Sequence, residues 1–325
     1  MPSPQLLYLS KADAAATGLT MAEVIDVVEM AFAEMGAGRV DMPPKIAIHP
    51  GGGDNFIHAM PAAIDGLESA GLKWVGGFLE NPARGLPYIS GLVVLNDTTT
   101  GLPVCVMDCV WLTGMRTGAA SAVSAKYLAR SDAKTIGVLG CGVQGHTNLE
   151  AMTVPFGLTH ACLYDKSKQQ AATLADFARH LGLKAIVVDE PRQAVSGCDI
   201  VVTAGPMRVT PHATIQAGWL EPGAFASCVD YDSYWSRAAL AEADKWTTDN
   251  RAQYEYCREH VGYFQDCPPV HAELGELVTG KLPGRERDDE ITMAANLGLA
   301  MTDMAVAPLI FERAREKGLG TWLPL

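Results

Sequence analysis

The stretch "KTIGVLGCGVQGHTNLEAM", residues 134–152, limits the fold more than any other part of the chain. Gly140, Gly142 and Gly145 form G-x-G-x-x-G. The pattern follows an apolar β-type run, Ile136 to Leu139, and precedes a helical run, Asn148 to Met152. That is the context a dinucleotide loop requires. Gly140 permits a tight turn, and Gly142 lets the backbone approach a pyrophosphate. Gly145 lets helix and strand pack closely, with the helix N-terminus facing the anion. The next apolar run, "HACLYD", ends at Asp165. A carboxylate there accepts hydrogen bonds from a ribose diol and repels a 2′-phosphate, which favours NAD over NADP. Lys166 and Lys168 follow and soften that preference.

Strand and helix patterns alternate around this loop. "TIGVLGCG", "VQGHTNLEAM", "HACLYDK", "QAATLADFARHLG", "KAIVVDE", "PRQAVSG" and "CDIVVTAG" succeed one another. The alternation predicts a parallel, doubly wound sheet. Before it, "TGMRTGAASAVSAKYLAR" predicts a small-residue helix ending near Ser131.

The first hundred residues have a different texture. "MAEVIDVVEMAFAEMGAGRV" has apolar residues at helical spacing, with Thr20 and Glu23 as a capping box and Gly36 as a stop. "KIAIHPGGGDNFIHAMPA" predicts a hairpin, and "GLKWVGGF" and "ISGLVVLNDTTTGLPVCVMD" predict further strands turned at Asp97–Gly101. The expectation is a helix followed by a mostly antiparallel sheet. At the other end, "DDEITMAANLGLAMTDMAVAPLIFERAREKG" predicts one long helical stretch bent or interrupted at Pro308. It either continues the nucleotide domain or returns to the first unit.

Net charge is −12, which argues against nucleic acid or an anionic membrane as partner. No run approaches the roughly 18 apolar residues of a membrane span. The N-terminal stretch lacks a basic segment followed by an apolar core, so no secretory signal is expected. The eight cysteines form no CxxC pair, and the gap between Cys257 and Cys267 is not a typical ligand spacing. The expectation is a reduced, cytoplasmic protein without a metal.

Three cations sit in apolar or small-residue surroundings: Lys45 in "MPPKIAIH", Lys73 in "GLKWVGG" and Arg116 in "TGMRTGAAS". Beside a nicotinamide site they suggest a pocket for a small anion. An arginine fork suits a carboxylate. A lysine desolvated among apolar residues has a lowered pKa and can transfer protons. Later, "AFASCV" reads as a strand with Asp230 and Asp232 at its C-terminal end, where doubly wound sheets bind ligands.

The chain resembles the ornithine cyclodeaminase/mu-crystallin family, and within it the branch of archaeal-type alanine dehydrogenases. The resemblance rests on "MPPK" (42–45), "AMPA" (59–62), "GLKWV" (71–75), "NPARGLP" (81–87), "MRTGAA" (115–120), "KYLAR" (126–130), "GCGVQ" (140–144), the spacing from Gly223 to Asp232, and "GLAMTDMAVA" (298–307). It implies an α/β chain: a Rossmann doubly wound domain, 119–291, inserted into an α+β substrate and dimerisation domain, 1–118 plus 292–325. It implies a homodimer. It places Lys73 and Asp232 as catalytic residues, and Lys45, His58, Lys73 and Arg116 at the substrate. Expected contacts to NAD are Arg116, Thr117, Gly140, Gly142, Val143, Gln144, Asp165, Lys166, Thr203, Asp230 and Asn296.

Departures from the family pattern also inform. His58 stands where the cyclodeaminases have a glutamate that receives the ornithine side chain. Asp230 and Tyr231 replace small residues just before the catalytic aspartate, and Asn296 replaces a usual serine. The expected activity is an NAD-dependent oxidoreductase working at the Cα of a small anionic amino or imino acid. A cyclodeaminase-type lyase that releases ammonia and regenerates NAD is the alternative, and a catalytically weak, crystallin-like nucleotide binder a third.

Overall fold

Register and burial in the first part of the chain follow from a two-residue side-chain period meeting one covering layer of helices. The computed structural model describes Pro4–Leu325. The chain begins with strand β1 (Gln5–Leu9) and helices α1 (Lys11–Ala16) and α2 (Met21–Gly36). Thr20 and Glu23 close the capping box on α2 as the sequence predicts. Strands β2 (Val40–Asp41), β3 (Ile46–Ile48), β4 (Phe56–Ile64), β5 (Ser69–Gly77), β6 (Ile89–Asn96) and β7 (Pro103–Asp108) follow. From β3 to β7, every pairing with the sequence neighbour is antiparallel. Helix α3 (Val110–Leu128) comes next, and the division between the chain's two units falls within it, after Arg116.

The second unit, Thr117–Gly298, is a parallel sheet. It contains β8 (Thr135–Leu139), α4 (Val143–Thr153), β9 (His160–Tyr164), α5 (Lys168–His180), β10 (Lys184–Val187), β11 (Ile200–Thr203) and β12 (Phe225–Cys228). After these come α6 (Arg237–Leu240), β13 (Lys245–Thr248), α7 (Arg251–Tyr256), β14 (Ala272–Glu273), α8 (Leu274–Val278) and β15 (Thr292–Ala295). The strand order is β10-β9-β8-β11-β12-β15-β13-β14, so direction of growth reverses beside β8, the strand that feeds the glycine loop. Ligands of doubly wound sheets bind at such a reversal.

The chain then returns to the first unit through α9 (Ala300–Lys317) and β16 (Thr321–Pro324). That unit is thus discontinuous, Met1–Arg116 with Leu299–Leu325. Its sheet runs β16-β1-β7-β6-β5-β4-β2, with β3 on β4. Helix α9 packs on β4 and β5, and α2 packs on α9. Phe56, Met60, Ala62 and Ile64 of β4 and Val75 of β5 are buried, while Trp74 and Leu92 on the other face are exposed.

Three expectations are corrected. The segment at 292–295 is a strand, β15, seated between β12 and β13, so 292–298 belongs to the nucleotide unit and the helix starts only at Ala300. Its Thr-Met-Ala-Ala sequence carries neither alternation nor β-branched aliphatic residues; a parallel strand buried between two neighbours does not need the alternation. "PRQAVSG" forms only a single 3₁₀ turn, Pro191–Ala194. Helix α9 runs through Pro308 without interruption. β1 and β16, which pair with each other antiparallel, were not predicted. No described helix is long and apolar enough to cross a membrane.

Candidate functional site

Lys73 lies in the middle of β5, opposite Met60 on β4 and Val93 on β6. Those neighbours are buried, and the alternation of the strand carries Lys73 inward with them at 1% exposure. Its partner comes from far along the chain. Lys73 Nζ donates to both oxygens of Asp303, at 3.1 and 3.2 Å. Asp303 is the fourth residue of α9, the helix that covers this strand. Arg116, in α3, donates from Nε to the same Asp303 Oδ1 at 3.0 Å. One fully buried carboxylate therefore serves two buried cations. The arginine keeps Nη1 buried without a hydrogen-bond partner.

The energetic consequence falls on the lysine. Burial, then the Arg116 guanidinium, push its ammonium down to about 8, against the pull of Asp303. Its proton is thus exchangeable near neutral pH. His58, on the same face of β4, is half-buried and stacks on Phe56 with ring centroids 4.2 Å apart. Burial and then Lys45, His49 and Lys73 push its imidazole down to about 2, so it stays neutral. Lys45 immediately precedes β3, which pairs with β4 so that Ala47 stands opposite His58. The first unit thus gathers Lys45, His58, Lys73 and Arg116. Sequence reasoning missed Asp303, since "LAMTDMAVA" reads as small-residue helix packing. A lone acid among small apolar residues was the available signal.

In the second unit the glycine loop has the predicted geometry. Gly140 has φ +97°, and a Cβ there would meet Ala204 carbon at 2.6 Å. A Cβ on Gly145 would meet the Gly140 carbonyl oxygen at 2.3 Å, so strand and helix approach as only glycine allows. Gly142 is the N-cap of α4 and supplies no side-chain cap, and nothing lies within 4 Å of where its Cβ would stand. Val143 is exposed, and Gln144 Oε1 is buried without a partner. Asp165 Oδ2 accepts the Cys141 amide at 2.7 Å and Oδ1 accepts the Ser167 amide at 2.7 Å. The loop and the acid at the end of β9 are thereby locked together. These residues fit a dinucleotide: an uncapped helix start for the pyrophosphate and an oriented carboxylate for the ribose. Lys166 is exposed, and Lys168 bonds Asp189 at 2.7 Å.

Past β11 and β12 the second cluster appears. Asp230 is fully buried. Its Oδ1 accepts the Thr203 hydroxyl at 2.5 Å, and Trp235 Nε1 donates to that hydroxyl oxygen at 3.3 Å. Asp230 Oδ2 has no partner. Burial pushes its carboxyl up to about 8. Asp232 Oδ2 accepts the Phe264 amide at 3.0 Å, Oδ1 has no partner, and burial raises this carboxyl to about 6. Tyr231 between them and Phe264 beside them adopt φ of +64° and +60°, left-handed values that cost non-glycine residues energy. Asn296, just past β15, is bound within a serine network: Ser124 donates to its Oδ1, and its amide donates to Ser227 and Ser121. Thr117, in α3, is buried.

Comparison with known proteins shows similarity over nearly the whole chain. The alanine dehydrogenase of Archaeoglobus fulgidus is 34% identical over 310 residues, 93% of this chain and 94% of the relative. The structure of Thermococcus litoralis Δ1-pyrroline-2-carboxylate reductase with NADH and L-proline superposes with a TM-score of 0.87 at 32% identity, covering 97% of this chain and 99% of that one. An archaeal alanine dehydrogenase dimer with bound NAD also gives 0.87 at 32% identity, covering 98% and 99%. The family model described as ornithine cyclodeaminase/mu-crystallin matches residues 8–318. By fold, by whole-length similarity and by that match, the chain belongs to the ornithine cyclodeaminase/mu-crystallin family.

Proposed function

We propose that the chain is an NAD-dependent oxidoreductase acting at the α carbon of an amino acid, in the reductive direction on an α-imino acid. The observation that carries this reading is the buried triad: Lys73 and Arg116 sharing Asp303, with Arg116 Nη1 left without a partner. A buried donor without a partner costs roughly 1–3 kcal/mol, which a bound carboxylate would offset. Arg116 holds the substrate carboxylate, supported by Lys45. His58, neutral, borders the side chain. Lys73, its pKa lowered toward neutrality, donates a proton to the imino nitrogen. Asp232, with its pKa raised, handles the proton of water when the imine forms from a keto acid and ammonia. Bound NADH supplies the hydride to the imino carbon. Gly140, Gly142, Val143 and Gln144 hold the pyrophosphate, and Asp165 the ribose diol. Thr117, Thr203 and Asp230 border the nicotinamide end. Lys166 and Asn296 are secondary contacts. The relatives named above work on alanine and on pyrroline-2-carboxylate, both α-carbon substrates with a carboxylate.

The chain acts as a homodimer in this reading. Ile46, Ile48, Trp74 and Leu92 share the outer face of the first unit's sheet and are 63%, 52%, 46% and 42% exposed, an apolar face suited to a second copy. The eight free cysteines fit a reducing cytoplasm.

Absorbance at 340 nm tests the reading. NADH should be consumed with Δ1-pyrroline-2-carboxylate, or with pyruvate plus ammonia. Ammonia released from ornithine with no net change in NADH would instead establish the lyase, and neither signal would refute both.

A further inference from the structure

The carboxyl of Asp230 has one oxygen engaged and one unengaged, and the neighbours decide which is which. Trp235 Nε1 donates to Thr203 Oγ1, so the threonine's own proton points at Asp230 Oδ1. Oδ1 is therefore an acceptor, and any proton carried by this carboxyl sits on Oδ2. That oxygen is buried and bonds to nothing. Burial, opposed by the Thr203 hydroxyl and by the backbone amides of Asp230 itself and Gly205, and assisted by Asp232, raises this carboxyl to about 8, so the protonated form predominates at neutral pH. The result is a fixed, dry O–H donor.

Its place in the fold says what it meets. Thr203 ends β11 and Asp230 follows β12, the two strands next in order after β8 on the side away from β9. In a doubly wound sheet the adenosine half lies toward β9, where Asp165 stands, and the nicotinamide half toward β11 and β12. The polar group on that ring is a carboxamide.

Building on the NAD reading above, we propose that Asp230 is a positioning residue for the nicotinamide: its Oδ2–H donates to the carboxamide oxygen and fixes the rotation of the ring. Thr203 and Trp235 hold the donor in place. Tyr231, left-handed and tied through its hydroxyl to the Leu297 carbonyl, keeps the segment from relaxing. A carboxylate in the same place would accept from the carboxamide nitrogen instead, and the two cases differ in which cofactor analogues bind.

Binding of NADH, ADP-ribose and 3-acetylpyridine adenine dinucleotide, followed by fluorescence or calorimetry, tests this without turnover. The acetyl analogue keeps the carbonyl and lacks the N–H. Wild type should bind it within about threefold of NAD. Asp230→Ala should weaken NADH about tenfold while leaving ADP-ribose, which lacks the ring, unchanged. Asp230→Asn should restore NADH binding, because the threonine claims the amide oxygen and leaves an N–H where the O–H stood. Equal effects on NADH and ADP-ribose, or none on either, would overturn the proposal. So would a tenfold loss of the acetyl analogue in wild type, which would make Asp230 an acceptor. Wild type that binds ADP-ribose but not NADH would refute the oxidoreductase reading itself.

Discussion

In the first unit two buried cations crowd one carboxylate; in the second, two buried carboxyls two residues apart each keep an oxygen with no partner. The physical result is opposite in sign. Desolvation with an excess of positive charge lowers Lys73 to about 8, and desolvation of acids raises Asp230 to about 8 and Asp232 to about 6. Both units hold groups whose protons are exchangeable close to pH 7, reached from opposite ends of the scale. Neither arrangement favours stability, since buried charge is costly without full pairing. The contrast teaches that one energetic device, burial with incomplete pairing, serves both a cationic and an acidic cluster.

The sharpest way to break this comparison is Asp303→Ala. It strips the shared counter-ion from two buried cations, and a loss of about 3–5 kcal/mol in urea denaturation is expected, with activity abolished. A near-native midpoint would mean the cations are not truly desolvated. Lys73→Met comes next. Arg116 keeps Asp303, so the denaturation midpoint should stay close to wild type while kcat falls about 10²–10⁴-fold. Full activity would remove the lysine from the chemistry.

The acidic cluster is probed by pH. Asp230 has a folded pKa raised above its unfolded value, so its favourable contribution is complete below about 4 and is lost as pH rises through about 8. Asp230→Asn lacks this titration. Its stability relative to wild type should therefore climb by roughly 5 kcal/mol between pH 4 and 8 in thermal melts, about 1.4 kcal/mol for each pH unit. A gap that is flat across that range would show the wild-type carboxyl to be ionised throughout. The smallest effect is expected for Asp165→Ser, which should shift the NADH to NADPH ratio of kcat/KM about tenfold toward NADPH, about 1.4 kcal/mol. An unchanged ratio would remove Asp165 from the ribose.

Local signals were legible and long-range ones were not. The glycine loop, the Thr20–Glu23 box and the hairpin turns are short-range patterns, and each appears where the sequence put it. The inward lysine was legible too, because a charge between Leu72 and Trp74 on an alternating strand must face one side or the other. Asp303 was not, because its role depends on a residue 230 positions away, a distance no periodicity encodes. β15 was hidden for a related reason: its small residues answer to flanking strands, not to an alternation of their own. The strained Tyr231 and Phe264 could not be read either, since neither is a residue type associated with left-handed backbone.

Strand β5 places Lys73 and Trp74 side by side, one 1% exposed and the other 46%. Slipping that strand by a single residue would exchange them, turning the amine to solvent and the indole inward. The same hydrogen-bond ladder thus encodes both the interior chemistry and the outward face. Any insertion or deletion in β5 would strike the two together, so these properties can vary through side-chain substitution but not through changes in the strand's length.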